Sequence, residues 1–171
     1  MTGQAESVSD WSLRPQLVSD LDFLRRLYLA VRWPEVAVMP WGELQKRMFL
    51  SSQFDLQSKH YQTHYPGASF DLVLIGGDAV GRLILHRTAD DFRVVDISLL
   101  PEWRGRGIGA ALLTAVLTQA EAAGCSVSLH VDPANPARRL YQRLGFKMAP
   151  GGDVAHQRMI WRPVAGRRRG G

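Results

Sequence analysis

The feature that most constrains the fold is a run of three strands joined only by short turns. Residues 70–75 and 80–86 are rich in apolar residues and are separated by the hairpin-type turn Gly76-Gly77-Asp78. A second short turn leads into a third strand over residues 92–100. Strands that follow one another through such turns pair antiparallel, so this segment predicts a three-stranded meander.

Two helices are predicted between a strand at residues 11–15 and the meander. Apolar residues recur at helical spacing after Ser19, which is expected to cap the first helix. Pro34 is expected to stop that helix, because proline in a helix removes a hydrogen bond and clashes with the preceding turn. The second helix is expected to run from near Pro40 to His64, either continuously or with a break.

Helices and strands are predicted to alternate after the meander. One apolar face marks a long helix that begins near Ile108 and ends at Gly124, and a β-branched strand follows at residues 127–131. The next helix is expected to begin at Asp132 or Asn135, and two final strands complete the order. The order β-α-α-β-β-β-α-β-α-β-β predicts a mixed sheet with helices on its faces, an α/β or α+β fold.

The length and composition favour one domain over residues 1–163, followed by a solvated, disordered arginine–glycine tail over residues 164–171. The formal net charge of +5 falls to +2 without the three arginines of that tail, so nucleic acid is not expected as a partner. A single cysteine, Cys125, cannot form an internal disulfide. The first ten residues lack the apolar stretch of a signal peptide, and no segment is long and apolar enough for a membrane helix. These features predict a cytoplasmic protein that does not associate with membranes.

The segment from Pro101 to Gly109 joins the third strand of the meander to the long helix, and its composition indicates anion binding. Glycine allows the backbone to approach a ligand closely and to adopt positive φ. The first turn of a helix offers unpaired N–H groups at the positive end of its dipole. Arg104 and Arg106 add formal charge at the same place, so the turn predicts a pyrophosphate cradle. The alternative is a tight strand-to-helix turn with solvated arginines.

The pattern Gly105-x-Gly107-x-x-Ala110 also fits a dinucleotide-binding turn, with Asp132 near the place of a ribose ligand. Two observations weigh against a dinucleotide-dependent oxidoreductase. Four residues, Pro101 to Arg104, separate the strand from the first glycine, whereas a dinucleotide turn follows its strand directly. Only some 60 residues follow the turn, which is too few for a second mononucleotide-binding half.

Two motifs resemble those of the GNAT superfamily of acetyl-coenzyme A-dependent N-acetyltransferases. Arg104-x-x-Gly107-x-Gly109 matches its pyrophosphate motif, and the segment from Asn135 to Phe146 matches its second signature. The resemblance covers Val80 to Trp161 strongly and the first half of the chain only in element order. It implies a mixed, mostly antiparallel sheet of six or seven strands, with helices on both faces and splayed central parallel strands.

The resemblance also implies a reaction and its cosubstrate. Acetyl-coenzyme A would donate an acetyl group to a primary amine of a small molecule or peptide, without a metal. A non-catalytic acyl-coenzyme A-binding module on the same fold stays open as the alternative. The oligomeric state also stays open, with a homodimer among the alternatives.

By the same resemblance, the cofactor contacts follow the two motifs. Backbone groups of Ser98, Leu99 and Leu100 would bind the pantetheine arm. The pyrophosphate would be bound by the glycine turn, which consists of Arg104, Gly105, Arg106, Gly107, Ile108 and Gly109. Asn135 would contact the arm near the last helix.

Tyr141 matches the tyrosine that protonates or hydrogen-bonds the leaving thiolate in this family. Without the motif, Tyr141 would be interpreted as a core aromatic at helical spacing. The family signature separates asparagine and tyrosine by seven residues, whereas Asn135 and Tyr141 are six apart, so one of the two is expected to be displaced.

The general base is expected to be His130 or Asp96. His130 occupies the strand position where family members often carry a glutamate, and the alternative for it is a partly buried histidine hydrogen-bonded in the sheet. Asp96 lies on the preceding strand, where an ion pair with an arginine would equally explain a carboxylate. Acceptor specificity is expected from aromatic residues of the first half of the chain: Trp33, Trp41, Phe49, Phe54, Tyr61 and Tyr65.

Overall fold

The computed structural model describes residues 10–164, over which it contains seven strands and four α-helices. The strands are β1 (Trp11–Pro15), β2 (Ser69–Ile75), β3 (Asp78–Arg87), β4 (Asp91–Leu99), β5 (Ser126–Val131), β6 (Lys147–Ala149) and β7 (Gln157–Trp161). The helices are α1 (Leu21–Ala37), α2 (Glu43–His64), α3 (Ile108–Ala123) and α4 (Ala137–Arg143). The predicted element order is confirmed. The predicted disordered tail lies outside the described residues, except for Val164.

The strands form one sheet in the order β1-β2-β3-β4-β5-β7-β6. β1 pairs antiparallel with β2, and β7 pairs antiparallel with both β5 and β6. β4 and β5 form a parallel pair, which confirms the predicted mixed, mostly antiparallel sheet. Over residues 10–164 this parallel pairing joins Asp91–Val94 to Ser126–Leu129, whereas β4 itself continues to Leu99.

The described residues divide into two compact units. The first contains the residues up to Ile84 together with Asp96–Ile108, and the second contains Leu85–Val95 and the residues from Gly109 onward. In the first unit, α1 and α2 bury apolar residues at helical spacing. The core members are Leu24, Tyr28, Val36, Leu50, Phe54 and Leu72, each at most 8% exposed.

The C-terminal end of α1 differs from the sequence prediction. The prediction that Pro34 stops the helix was wrong, since α1 continues through Pro34 to Ala37. Val36 is 2% exposed, and its burial offsets the one hydrogen bond that a proline near a helix end removes. α2 is continuous over 22 residues, which resolves the alternative that was left open for it.

The prediction that Ser19 caps α1 was also wrong, because Asp20 is the residue that stabilises this end of the chain. α1 begins after Asp20, whose carboxylate accepts the backbone N–H of Leu17 at 2.7 Å. The same carboxylate accepts two hydrogen bonds from the guanidinium of Arg14, at 2.8 and 2.9 Å. These contacts, with that of Arg14 the largest, lower the pKa of Asp20 to about 2.

The second unit is built around α3 and β5. Leu112, Leu113 and Val116 of α3 are at most 3% exposed, as are the apolar residues of β5. α4 begins at Ala137, later than either predicted start, because Pro136 precedes its first turn. The Asn135 side chain accepts the N–H of Ala137 at 2.9 Å, so Asn135 closes the turn before the helix.

Substituting Asp20→Asn is expected to destabilise the fold at neutral pH, because the amide cannot replace the ionised carboxylate between Arg14 and Leu17. The folded pKa lies below the unfolded value of about 3.9, so the contribution of Asp20 is present at higher pH and is lost as pH falls from about 4 to about 2. Thermal unfolding between pH 2 and 7 measures this difference. Ser19→Ala is the matched control, and equal effects of the two substitutions would contradict the assignment.

Candidate functional site

The predicted phosphate-binding turn directly precedes α3. Residues 104–107 are exposed to solvent, and α3 begins after them at Ile108. Gly105 and Gly107 have φ angles of +71° and +81°, which residues with a Cβ rarely adopt. Ile108 is 2% exposed, so the start of the helix is anchored in the core. The unpaired N–H groups of the first turn of α3 therefore follow an exposed glycine turn.

The two arginines of this turn carry charges that no carboxylate neutralises within the described part of the chain. The Arg106 guanidinium lies over the ring of Trp103, 4.6 Å from its centroid. The Nε of Arg104 donates to the backbone carbonyl of Leu99 at 3.2 Å. Both side chains are thus oriented by neutral groups, and their charges stay available to an anion.

The end of β4 approaches β3 so closely that only glycine fits at position 81. A Cβ on Gly81 would overlap the carbonyl oxygen of Ser98 and would lie 2.7 Å from the side chain of Leu99. Gly81 therefore allows the end of β4 to lie against the backbone of β3.

The backbone of Leu100 is already hydrogen-bonded on both sides. Its N–H donates to the carbonyl of Val80 at 2.9 Å, and its carbonyl accepts the N–H of Trp103 at 2.9 Å. The Leu99 carbonyl accepts the Arg104 side chain. Backbone groups of successive residues in a strand point to alternate edges, so the N–H of Leu99 points away from β3.

Asp96 lies in a nearly buried cluster with Arg82, the ion-pair partner that the sequence left unnamed. Their side chains are 15% and 7% exposed, and the Arg82 guanidinium donates to one carboxylate oxygen of Asp96. The Ser98 hydroxyl donates to the other oxygen at 2.6 Å. Arg82 also donates to the side-chain carbonyl of Gln57 at 3.1 Å and lies 6.0 Å from the ring centroid of Tyr61. The cluster therefore joins β3, β4 and α2.

Tyr61 of α2 borders this cluster. Burial is the largest cause that raises the pKa of its hydroxyl, and the negative charge of Asp96 raises it further. The hydroxyl is therefore protonated across the physiological range and can donate a hydrogen bond.

His130 is hydrogen-bonded on the sheet in the second unit. Its Nδ1 lies 2.9 Å from the guanidinium of Arg93, and because a guanidinium can only donate, Nδ1 is the acceptor. Burial lowers the pKa of His130 most, followed by the charge of Arg93, and a hydrogen bond with the backbone of Gly151 only partly opposes them. The imidazole is therefore neutral at pH 7, and its lone pair is already used.

Tyr141 lies on α4, and Asn135 lies in the turn before that helix. Tyr141 is 7% exposed, and its ring packs against Phe146 with centroids 5.9 Å apart. The preceding residue of the same helix is Leu140, whose side chain lies 3.8 Å from the position of a Cβ on Gly109. Asn135 is exposed, and its side-chain oxygen is used by the N–H of Ala137.

Sequence reasoning missed Arg82, although a signal for it was present. Arg82 is the one charged residue in the apolar run Val80–Leu85, and a lone charge in a buried strand requires an opposite charge nearby. The pattern did not identify Asp96 as the partner, because the two residues are joined only by the pairing of β3 with β4. Among the predicted aromatic residues, Tyr61 borders the Asp96 cluster and Phe54 belongs to the core.

Two further observations concern the described residues as a set. No helix within residues 10–164 has the length and apolar character needed to cross a membrane. No group of three or more histidine, cysteine, aspartate or glutamate side chains in the same range is arranged to hold a metal ion.

Comparison with solved structures finds the same fold in several acetyltransferases. The PaiA N-acetyltransferase from Thermoplasma acidophilum, in complex with coenzyme A, superposes with a TM-score of 0.66 at 18% identity, covering 89% of this chain and 98% of that one. An acetyltransferase from Thermus thermophilus gives 0.65 at 21% identity, covering 91% and 99%. A histone acetyltransferase HPA2 and related acetyltransferase from Corynebacterium glutamicum gives 0.63 at 18% identity, covering 91% and 97%.

Curated protein sequences give no match. The sequence model of the acetyltransferase (GNAT) family matches residues 33–146, which is well over half of the chain and includes both motifs described above. The chain therefore belongs to the acetyltransferase (GNAT) family.

Proposed function

We propose that this protein is an N-acetyltransferase that transfers the acetyl group of acetyl-coenzyme A to a primary amine by direct attack. The observation that carries the proposal is the exposed turn at residues 104–107, with positive φ at two glycines and two arginines that lack a carboxylate partner. A glycine turn before a helix, with free positive charge, fits a pyrophosphate group. The relative from Thermoplasma acidophilum, whose structure contains coenzyme A, supports the same assignment.

In this proposal the N–H groups of the glycine turn and the first turn of α3 bind the pyrophosphate, and the guanidinium groups of Arg104 and Arg106 neutralise it. When bound, acetyl-coenzyme A supplies an activated acyl group as a thioester. Of the three residues at the end of β4 and just after it that are expected to bind the pantetheine arm, Leu99 is the best suited. Its N–H is directed away from β3, whereas both backbone groups of Leu100 have partners.

The chemical step requires a neutral amine and a stabilised leaving thiolate. We assign the hydroxyl of Tyr141 as the donor to the leaving sulfur, because a phenol O–H can donate a hydrogen bond or a proton to a developing thiolate. The N–H of Leu99 polarises the thioester carbonyl in this scheme. Asn135 contacts the cofactor arm at the start of α4.

Asp96 is the better of the two candidate bases. The lone pair on Nδ1 of His130 already accepts a hydrogen bond from Arg93, and taking a proton would place a positive charge beside that guanidinium. Each oxygen of the Asp96 carboxylate accepts one hydrogen bond, from Arg82 or from Ser98, and has a second lone pair with which it can accept a proton from an ammonium through a water molecule. Tyr61 and Gln57 would contact the amine substrate next to Asp96.

Gly107→Val tests the cofactor site. A β-branched residue cannot adopt the φ of +81° without strain, so the turn should open and the affinity for coenzyme A should fall by at least roughly tenfold. Titration calorimetry with coenzyme A and with NAD measures the change. The matched control is Gly124→Val, which imposes the same strain at the other end of α3, where φ is +69°. Equal affinity in wild type and Gly107→Val, or tight binding of NAD, would overturn the proposal.

Tyr141→Phe is expected to lower kcat by roughly 10²-fold, because the substitution removes only the proton donor. The dissociation constant of coenzyme A should stay unchanged. Release of free thiol with a panel of primary amines measures turnover. An unchanged kcat would remove Tyr141 from the mechanism, and wild-type binding without transfer to any amine would favour the non-catalytic module.

His130→Gln tests which of the two candidate bases takes the proton. Its effect on the pH dependence of thermal stability gives a second measurement. The folded pKa of His130 is lowered, so its contribution is present above the unfolded pKa and is lost as pH falls below about 6.5. His130→Gln should therefore remove part of the loss of thermal stability between pH 7 and 5. Its kcat/KM should stay near that of the wild type, whereas Asp96→Asn should lower kcat/KM by at least roughly tenfold. The opposite order of activities would assign the base to His130.

A further inference from the structure

Two polar side chains lie next to each other on the face of α2 that borders the Asp96 cluster. Gln57 and Tyr61 are four residues apart, so their Cβ atoms lie about 5–6 Å from each other on the helix surface. Both are neighbours of Arg82, Gln57 through a hydrogen bond of 3.1 Å and Tyr61 with its ring centroid 6.0 Å from the guanidinium carbon. We refer to Gln57 and Tyr61 as the α2 donor pair.

The side-chain amide of Gln57 has one orientation. A guanidinium can only donate, so the atom of Gln57 that meets Arg82 is the carbonyl oxygen, and the two N–H groups of the amide remain for another partner. No residue in the range 10–164 accepts a hydrogen bond from them. Gln57 is only partly buried, and its amide nitrogen is not sealed from solvent. A ligand can therefore reach these donors.

The hydroxyl of Tyr61 is the second available donor. Its ring lies beside the rings of His60 and Tyr65, but no described residue is hydrogen-bonded to its hydroxyl. Burial and the negative charge of Asp96 raise the pKa of this hydroxyl, so it keeps its proton. The Ser98 hydroxyl differs, because it already donates to Asp96. The α2 donor pair is thus the part of this cluster that can donate to a ligand.

Asp96 gives the same place a hydrogen-bond acceptor. Its side chain is 15% exposed, and each carboxylate oxygen keeps a lone pair beyond the bonds from Arg82 and Ser98. The positive charge of Arg82 balances that of Asp96, so this pair adds no excess negative charge of the kind that a polycationic acceptor requires. The site therefore combines one acceptor for an ammonium group with neutral donors that need an acceptor oxygen on the ligand.

We propose that the acceptor substrate is an α-amino carbonyl compound, either an amino acid or the first residue of a peptide. Its amine lies at Asp96, and its carbonyl oxygen accepts hydrogen bonds from the α2 donor pair. This proposal rests on the acetyl transfer proposed above. In such a compound the oxygen lies within about 4 Å of the amine nitrogen, because only the N–Cα, Cα–C and C=O bonds separate them. One carbonyl oxygen has two lone pairs, so it can accept from both donors.

A simple alkylamine fits the same site less well. It binds at Asp96 but excludes water from the α2 donor pair without replacing the lost hydrogen bonds. Polar groups of a binding site that are left unpaired in this way discriminate against the ligand that lacks their partner. The wild type is therefore expected to use the carbonyl group of its acceptor for specificity.

Matched amines and Tyr61→Phe test the role of the carbonyl group. Leucinamide and isoamylamine differ only in the carboxamide, and glycinamide with methylamine forms a second pair without a side chain. Tyr61→Phe should lower kcat/KM for the two amides roughly threefold to tenfold, mainly through KM, because one hydrogen bond to bound substrate is lost. The two alkylamines should keep the wild-type kcat/KM. Each compound is compared between variant and wild type, since the carbonyl group also lowers the basicity of the amine.

Leucine as a further substrate distinguishes the two sources of the carbonyl group. A larger effect of Tyr61→Phe on leucine than on leucinamide indicates a free amino acid, whose carboxylate accepts the stronger hydrogen bond. A larger effect on leucinamide indicates the first residue of a peptide.

Gln57→Glu tests the second donor. Glutamate keeps an oxygen for Arg82 and replaces the two N–H groups with an oxygen that repels a carbonyl group. The kcat/KM for leucinamide should fall roughly tenfold, whereas that for isoamylamine should not fall, because the added charge attracts its ammonium group. Gln62→Glu is the matched control, since it adds the same charge at an exposed position of α2 and should leave both values unchanged. Thermal unfolding of each variant shows that the fold is retained.

Three results would overturn the proposal. The first is a Tyr61→Phe variant that loses the same factor with amides and alkylamines, or loses nothing with either. The second is an equal effect of Gln57→Glu and Gln62→Glu on leucinamide, which would indicate an effect of charge alone. The third is a wild type that acetylates alkylamines and none of the carbonyl compounds. These results leave the proposed acetyl transfer intact, whereas a wild type that binds coenzyme A and acetylates no amine overturns that function as well.

Discussion

The ion pair between Arg82 and Asp96 is the interaction on which the arrangement of the first unit depends. Burying each charge costs several kcal/mol of solvation, so neither side chain is stable in this position without the other. The pair fixes β4 against β3, and the contacts of Arg82 with Gln57 and Tyr61 attach both strands to α2. A polar cluster of this kind has one arrangement that satisfies its members, whereas an apolar cluster at the same place would tolerate several.

The ion pair between Arg82 and Asp96 also fixes the position of the end of β4. Asp96 precedes Leu99 by three residues, and the absence of a side chain at Gly81 lets that part of β4 lie against β3. The backbone bonds of Leu100 then fix the direction in which the chain enters the turn at residues 104–107. The segment proposed to bind the cofactor is therefore held by a buried charge pair at one end and by the buried Ile108 at the other.

The element order could be predicted from the sequence because turn residues and apolar periodicity are local signals. The errors arose where a distant contact decides the outcome. Pro34 does not end α1, since the burial of Val36 offsets the lost hydrogen bond, and Asp20 replaces Ser19 because Arg14 lies within reach of its carboxylate. The glycine turn was recognisable, but the partners of Asp96 and His130 were not. Those partners depend on strand pairing, which residue types along one strand do not encode.

The arginines show why a net charge of +5 says little about the ligand of this protein. Arg14, Arg25, Arg32, Arg47 and Arg82 have carboxylate partners within residues 10–164, so their charges are used to stabilise the fold. Arg104 donates to a backbone carbonyl and Arg106 lies over an aromatic ring, and these groups orient a guanidinium without neutralising it. An uncompensated pair of charges beside a helix start lowers the stability of the free protein through repulsion, and an anion removes that repulsion when it binds. Unpaired charge beside an exposed glycine turn and a helix start, and not the total charge, therefore indicates where a pyrophosphate would bind.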